Sequence, residues 1–131
     1  KSLIEPPSVD DLFKSDIIEK RGHMIRNWKK RFIVLHDGEI QYFDQVDKSG
    51  KGVGLKGQIN LLGAYCEIKT DPDGLPTLEI VGRQGEKDLL LKFTTFVKAR
   101  EWAEAINWTI YGWNTRCIES GEEIPEIIKW Y

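Results

Sequence analysis

Hydrophobic and polar positions alternate in short runs through most of the chain, then change to a helical period near residue 95. A period of two marks a strand with one face in a core, and a period near 3.6 marks an amphipathic helix. The alternation predicts strands over 16–21, 28–36, 39–44, 55–61, 64–69, 77–81 and 88–93. Asp37-Gly38 between the second and third strands is a hairpin signal, because both residues tolerate positive φ in a type I′ turn. Residues 45–54, rich in Gly and Lys, read as a flexible loop, and Asp71-Pro72-Asp73-Gly74 reads as a turn. After residue 95, Ala99, Trp102, Ala103, Ile106 and Ile110 fall on one helical stripe. Thr94 or Thr95 caps its start, and Gly112 stands near its end. The expected fold is mainly β: a seven-stranded antiparallel barrel or sandwich with one C-terminal helix capping it. Trp102 is the natural stopper, burying about 200 Å².

One stretch breaks its own pattern. In 28–36, Lys29, Arg31, Ile33 and Leu35 share a face, while Trp28, Lys30, Phe32 and Val34 share the other. Ile33 and Leu35 call for a core, yet two cations precede them on the same side. A charge is rarely buried without a partner. The strand therefore leaves the core at its start, so that Lys29 and Arg31 line an open mouth. Lys20, which shares a face with Ile18 in the first strand, and Arg26 stand close enough in sequence to join them.

Charge distribution sharpens this reading. The 131 residues carry a net charge of −2, which points to no nucleic-acid partner. Residues 20–31 nevertheless hold six cations (Lys20, Arg21, Arg26, Lys29, Lys30, Arg31) and no acid, leaving the remainder at −8. Such a dipolar molecule steers its basic pole toward anions. Cys66 and Cys117 match no zinc spacing and read as reduced thiols, so neither metal nor cofactor is expected. No run approaches the roughly 18 apolar residues of a membrane span. The chain begins at Lys1 rather than Met and reads as a fragment, so a lipidation signal upstream would be invisible. Residues 1–15 form a lead-in, with Ser8 capping a short helical turn, 16–113 the domain, and 114–131 an acidic extension with an apolar end.

Strands in this order, with Trp28-Lys29-Lys30-Arg31-Phe32-Ile33-Val34-Leu35 and then Arg100-Glu101-Trp102-Ala103-Glu104-Ala105-Ile106, resemble a pleckstrin homology (PH) domain. The first passage looks like that family's second strand and the second like its C-terminal helix. Tyr42-Phe43 after the Asp-Gly turn also fits. The resemblance implies a PH-type fold and, for many members, binding of phosphoinositide headgroups. The family pattern of a lysine on strand one, then Lys/Arg-x-Arg on strand two, is filled by Lys20 and Lys29-x-Arg31. Tyr42 matches a tyrosine that bonds phosphate, and Lys56 stands where a basic residue helps.

Each assignment has a plainer rival. Lys29 and Arg31 suit phosphate, one as a point charge and the other as a planar fork, but could instead pair with Glu19 or Glu39. Met24 and Ile25 either insert into a bilayer, each contributing about 1.5–3 kcal/mol at full burial, or fold over the mouth. Arg21, Lys48 and Lys51 are expected as peripheral membrane contacts. Gly52-x-Gly54-x-x-Gly57 formally matches a nucleotide loop but precedes a strand rather than a helix, so it reads as loop. Neither histidine joins a triad, and no catalytic constellation is present, so the protein is not expected to be an enzyme. The expected partner is an anionic phospholipid at the cytosolic face of a membrane, to which a cytoplasmic protein would attach peripherally. Phosphoinositide is the default, phosphatidic acid the alternative ligand of the same pocket. A PH-like interaction module, binding a protein through the helix or tail, is the rival class.

Overall fold

Asp37 and Gly38 set the register of the whole first half. Both adopt left-handed backbone, at φ 51° and 79°, and place His36 directly opposite Glu39. The computed structural model describes residues 12–22, 27–83 and 88–120, with side chains in the last stretch followed as far as 112. Its elements are β1 (Lys14–Arg21), β2 (Trp28–His36), β3 (Glu39–Val46), β4 (Gly52–Asn60), β5 (Tyr65–Thr70), β6 (Pro76–Val81), β7 (Leu89–Lys92) and α1 (Phe96–Ser120). The short helical turn expected in the lead-in lies largely outside the described residues.

All seven strands join one sheet in the order β4-β3-β2-β1-β7-β6-β5, each pairing antiparallel. The edge strands β4 and β5 do not pair with each other, so the sheet is not closed into a barrel. One core nevertheless unites its two halves: Ile33 and Ile40 pack in the same cluster as Leu78, Ile80 and Leu91. Helix α1 lies across β5 and β6. Its five expected stripe residues, Ala99, Trp102, Ala103, Ile106 and Ile110, are all buried. Trp102 meets the Phe93 ring at 6.4 Å between centroids. Thr95 caps the helix, its hydroxyl accepting from the Lys98 amide at 3.2 Å. Lys98 in turn reaches Asp16 at 3.0 Å and ties the first turn to β1.

Two boundaries differ most from expectation, beside shifts of one or two residues such as β1 beginning at Lys14 rather than 16. The helix does not end near Gly112 but continues to Ser120. Gly112 keeps helical backbone, and glycine there costs only about 1 kcal/mol relative to alanine, so it marks no stop. The expected loop over 45–54 shrinks to 47–51, because β3 runs to Val46 and β4 begins at Gly52. Asp47 explains the economy. One carboxylate oxygen accepts from the Ser49 amide, the Ser49 hydroxyl and the Lys51 amide, at 2.9, 2.6 and 3.0 Å. These bonds, led by the hydroxyl, hold its carboxyl below the ordinary aspartate range.

On the outer face, Lys92 is the residue that organises the β5–β6 turn. It is 8% exposed, and its ammonium touches Asp71 at 2.9 Å and Asp73 at 2.7 Å while lying 4.5 Å over the Trp28 ring. The hydrogen bond from Lys92 is the largest influence lowering the Asp73 carboxyl, and the bonds to Asp73 and Asp71 raise Lys92. Asp73 therefore contributes stability that is fully present above the ordinary value of 3.8 and is lost as pH falls through its depressed one. Asp73→Asn is expected to lower Tm at about pH 6 and to converge with wild type in strong acid. A pH-independent gap in thermal melts would contradict the assignment. Elsewhere, burial pushes the Cys66 thiol up to about 12, with the Glu67 charge adding to it, so this side chain is an inert core thiol at neutral pH.

Candidate functional site

The hairpin register, counted outward from Asp37-Gly38, assembles the basic face. Across β1 and β2, Lys20 stands opposite Lys29 and Ile18 opposite Arg31. Across β2 and β3, Ile33 pairs with Tyr42 and Phe32 with Phe43. Directly paired residues point to the same side. One step beyond, Arg31 and Asp44 come together, with the Arg31 guanidinium 3.7 Å from the carboxylate. Between β3 and β4 the register shifts: Tyr42 faces Gly57 but Phe43 faces Leu55. Lys56 is the extra residue of that bulge, and it reaches the same Asp44 at 3.5 Å. Bulges re-aim side chains in this way.

Two lysines directly opposite each other repel, so local physics disfavours the Lys20–Lys29 pair. Lys20 escapes inward. It is 8% exposed, its ammonium lies 4.5 Å from the centre of the Tyr42 ring, and it donates to the Arg21 carbonyl at 3.4 Å. Lys20 thus lies against the Tyr42 ring rather than at a rim. Lys29 remains exposed. Burial pushes the Tyr42 phenol above its ordinary value, so it stays protonated and able to donate to an anion.

Tyr42 is held flat against β4. A Cβ on Gly57 would collide with the Tyr42 hydroxyl, so any larger residue beneath has to move the ring. Gly54 has φ +75° and abuts Asp44. The glycine-rich motif is thus a strand shaped to receive Tyr42 and Asp44, not a loop. Gly57→Ala is expected to displace Tyr42, weaken binding of an anion at this face several-fold and lower stability by about 1–3 kcal/mol. Vesicle sedimentation beside a thermal melt would check both.

The remaining expected residues divide clearly. Arg21 pairs with Trp28 on the opposite face and does not join the cluster. Lys48 and Lys51 are exposed in the β3–β4 turn. Met24, Ile25, Arg26 and His23 lie outside the described residues. The acids weighed as rival partners, Glu19 and Glu39, face Lys30 and His36 across the ladders, and Asp44 takes the ion pairs instead. A cleft of about 400 Å³ opens beside Tyr42, Lys56 and Gly57, but Glu39 and Asp88 also line it. Asp44 is the residue of this cluster that the strand alternation did not single out. Its signal was present, since a two-residue turn at 37–38 places 44 opposite 31.

A family model described as "PH domain" matches residues 12–111. The chain belongs to the PH domain family, a family of non-catalytic modules. It is 32% identical over 101 residues to switch-associated protein 70 of Gallus gallus, covering 76% of this chain and 16% of that protein. A stretch of 47 residues is 47% identical to a probable serine/threonine-protein kinase of Dictyostelium discoideum, 35% of this chain and 2% of the other. Among solved structures, the C-terminal PH domain of pleckstrin in complex with D-myo-Ins(1,2,3,5,6)P5 aligns with TM-score 0.60 and 26% identity, covering 74% of this chain and 93% of that one. The chain thus spans about one sixth of the length of the curated switch-associated relative. Among the described residues, no helix is long and apolar enough to cross a membrane.

Proposed function

We propose that this chain is a membrane-targeting module that binds anionic phospholipid headgroups where β1, β2 and the β4 bulge meet. The observation that carries the proposal is the Lys20–Lys29 opposition, with Arg31 and Lys56 beside it around one tyrosine. Cations gathered on one face attract an anion. Lys29 and Arg31 would grip phosphate oxygens, Lys56 and Arg26 would assist, and Tyr42 would donate its hydroxyl. Lys20 would act from beneath, through the Tyr42 ring. Met24 and Ile25 would dip into the interface at the cytosolic face, with Lys48 and Lys51 near the headgroup layer.

A phosphoinositide is the default ligand. The pleckstrin domain that aligns at 26% identity was solved with an inositol pentakisphosphate, which supports this class. Lys92, beside Trp28 on the opposite face, makes a poor rival anchor, since Asp71 and Asp73 already hold it. Phosphatidic acid would meet the same cations through one phosphate monoester.

Sedimentation with phosphatidylcholine vesicles, alone or with a phosphatidylinositol bisphosphate, phosphatidic acid or phosphatidylserine, tests the reading. Pelleting that depends on the phosphoinositide is expected. Equal pelleting on phosphatidic acid would shift the ligand to a simple phosphomonoester. No pelleting on any anionic vesicle would overturn the reading in favour of a protein-binding module.

A further inference from the structure

Among the described residues, Asp44 is the acid that both Arg31 and Lys56 reach, and neither contact is a tight hydrogen bond. The guanidinium stands 3.7 Å away and the ammonium 3.5 Å away, from different oxygens of the carboxylate. Charge-assisted bonds to a ligand phosphate close to about 2.7–2.9 Å. The carboxylate side chain is 43% exposed, so it can turn toward water without loss of packing. Its backbone position is fixed by the hairpin register, and Gly54 leaves room for its Cβ.

We infer, resting on the headgroup reading above, that Asp44 is a built-in competitor that occupies the place of a ligand phosphate between Arg31 and Lys56. A bound headgroup sets one phosphate across β3, bridging the β2 guanidinium and the β4-bulge ammonium, and turns Asp44 outward. The carboxylate lowers affinity for every anion. Singly charged lipids, which offer no more charge than Asp44 itself, therefore fall below useful binding, and only multiply charged headgroups hold the domain. Asp44 is in this sense the residue that sets the threshold of the site.

The test compares wild type, Asp44→Asn, Asp37→Asn and Asp44→Asn in the Lys29→Ala/Arg31→Ala background. Asp37 is an exposed acid in the turn at the far end of the hairpin, where asparagine also accepts positive φ. Its substitution changes net charge equally without touching the cluster. The probes are vesicles of phosphatidylcholine with a phosphatidylinositol bisphosphate, and with phosphatidylserine alone. Asp44→Asn is expected to tighten binding to the bisphosphate about five- to tenfold and to make pelleting on phosphatidylserine detectable. Asp37→Asn should leave both unchanged, and the gain should vanish in the Lys29→Ala/Arg31→Ala background.

If wild type binds and Asp44→Asn binds equally or more weakly, the competitor role is overturned while the headgroup site stands. A gain that Asp37→Asn reproduces, or that survives loss of Lys29 and Arg31, overturns it too, as a general charge effect. Binding of the bisphosphate by Asp44→Asn but not by wild type overturns it too, because no multiply charged headgroup then displaces the carboxylate. Binding by neither wild type nor Asp44→Asn rejects the headgroup site itself, and the inference with it.

Discussion

Replacing Lys29 and Arg31 together by alanine is expected to reduce binding to phosphoinositide vesicles by about a hundredfold or more, while leaving the fold intact. A hydrogen bond to a charged group contributes about 1.5–3 kcal/mol, and removing two such bonds from a partly solvated site gives this magnitude. The stability side of the same experiment is equally specific. Lys29 opposes Lys20 across the ladder, so its removal relieves repulsion. Arg31 loses a 3.7 Å pair with a half-exposed carboxylate and an exposed 3.1 Å bond to the Lys30 carbonyl, which contribute little. Tm should hold or rise as binding collapses. A binding residue kept at the expense of stability is a common pattern in functional sites. A fall in Tm comparable to the loss of binding would instead mark both residues as structural.

Trp102→Ala should do the opposite: it should destabilise without touching the basic face. Trp102 is 4% exposed and packs on Phe93 where α1 crosses the sheet. Truncating a buried tryptophan costs about 3–5 kcal/mol, a large share of the roughly 5–15 kcal/mol that holds a domain together. For a domain of this size that corresponds to a Tm drop of roughly 10–20 °C. Where the variant remains folded, at low temperature, its affinity for the same vesicles should match wild type. A loss of affinity under folding conditions would mean that α1 contributes to the site.

The strands were legible because their one-sided burial leaves a period of two. β2 falls at the residues the alternation marks, and the five stripe positions of α1 are buried as the helical spacing requires. The longer β3–β4 hairpin was hidden for a physical reason. Its glycines look like loop, but Gly57 lies under Tyr42 and Gly52 under the Phe43 ring, where an added Cβ would come within 2.6 Å of ring atoms. Absence of a side chain was the packing requirement. Gly112 misled in the opposite direction, since nothing among the described residues crowds it and the helix passes through. The unclosed sheet was not legible, because alternation says which face is buried and nothing of whether two edges meet.

The site was half legible. Parity alone places Lys29 and Arg31 with Ile33, and Lys20 with Ile18. Parity does not reveal depth, so Lys20 beneath Tyr42 was beyond it. Nor does it reveal partners across strands. The Asp44 pairings needed the hairpin register for Arg31 and the bulge for Lys56, and only the first can be counted from the chain. Arg21 shows the limit of sequence proximity: one residue from Lys20, it points to the other face.

Backbone amide shifts recorded while inositol 1,4,5-trisphosphate is titrated into the whole chain test the central claim most directly. The largest shifts are expected at Lys20, Lys29, Arg31, Tyr42, Asp44 and Lys56, saturating together. Shifts centred instead on Trp28, Lys92 and the Asp71–Asp73 turn, or along α1, would contradict a headgroup site on the basic face.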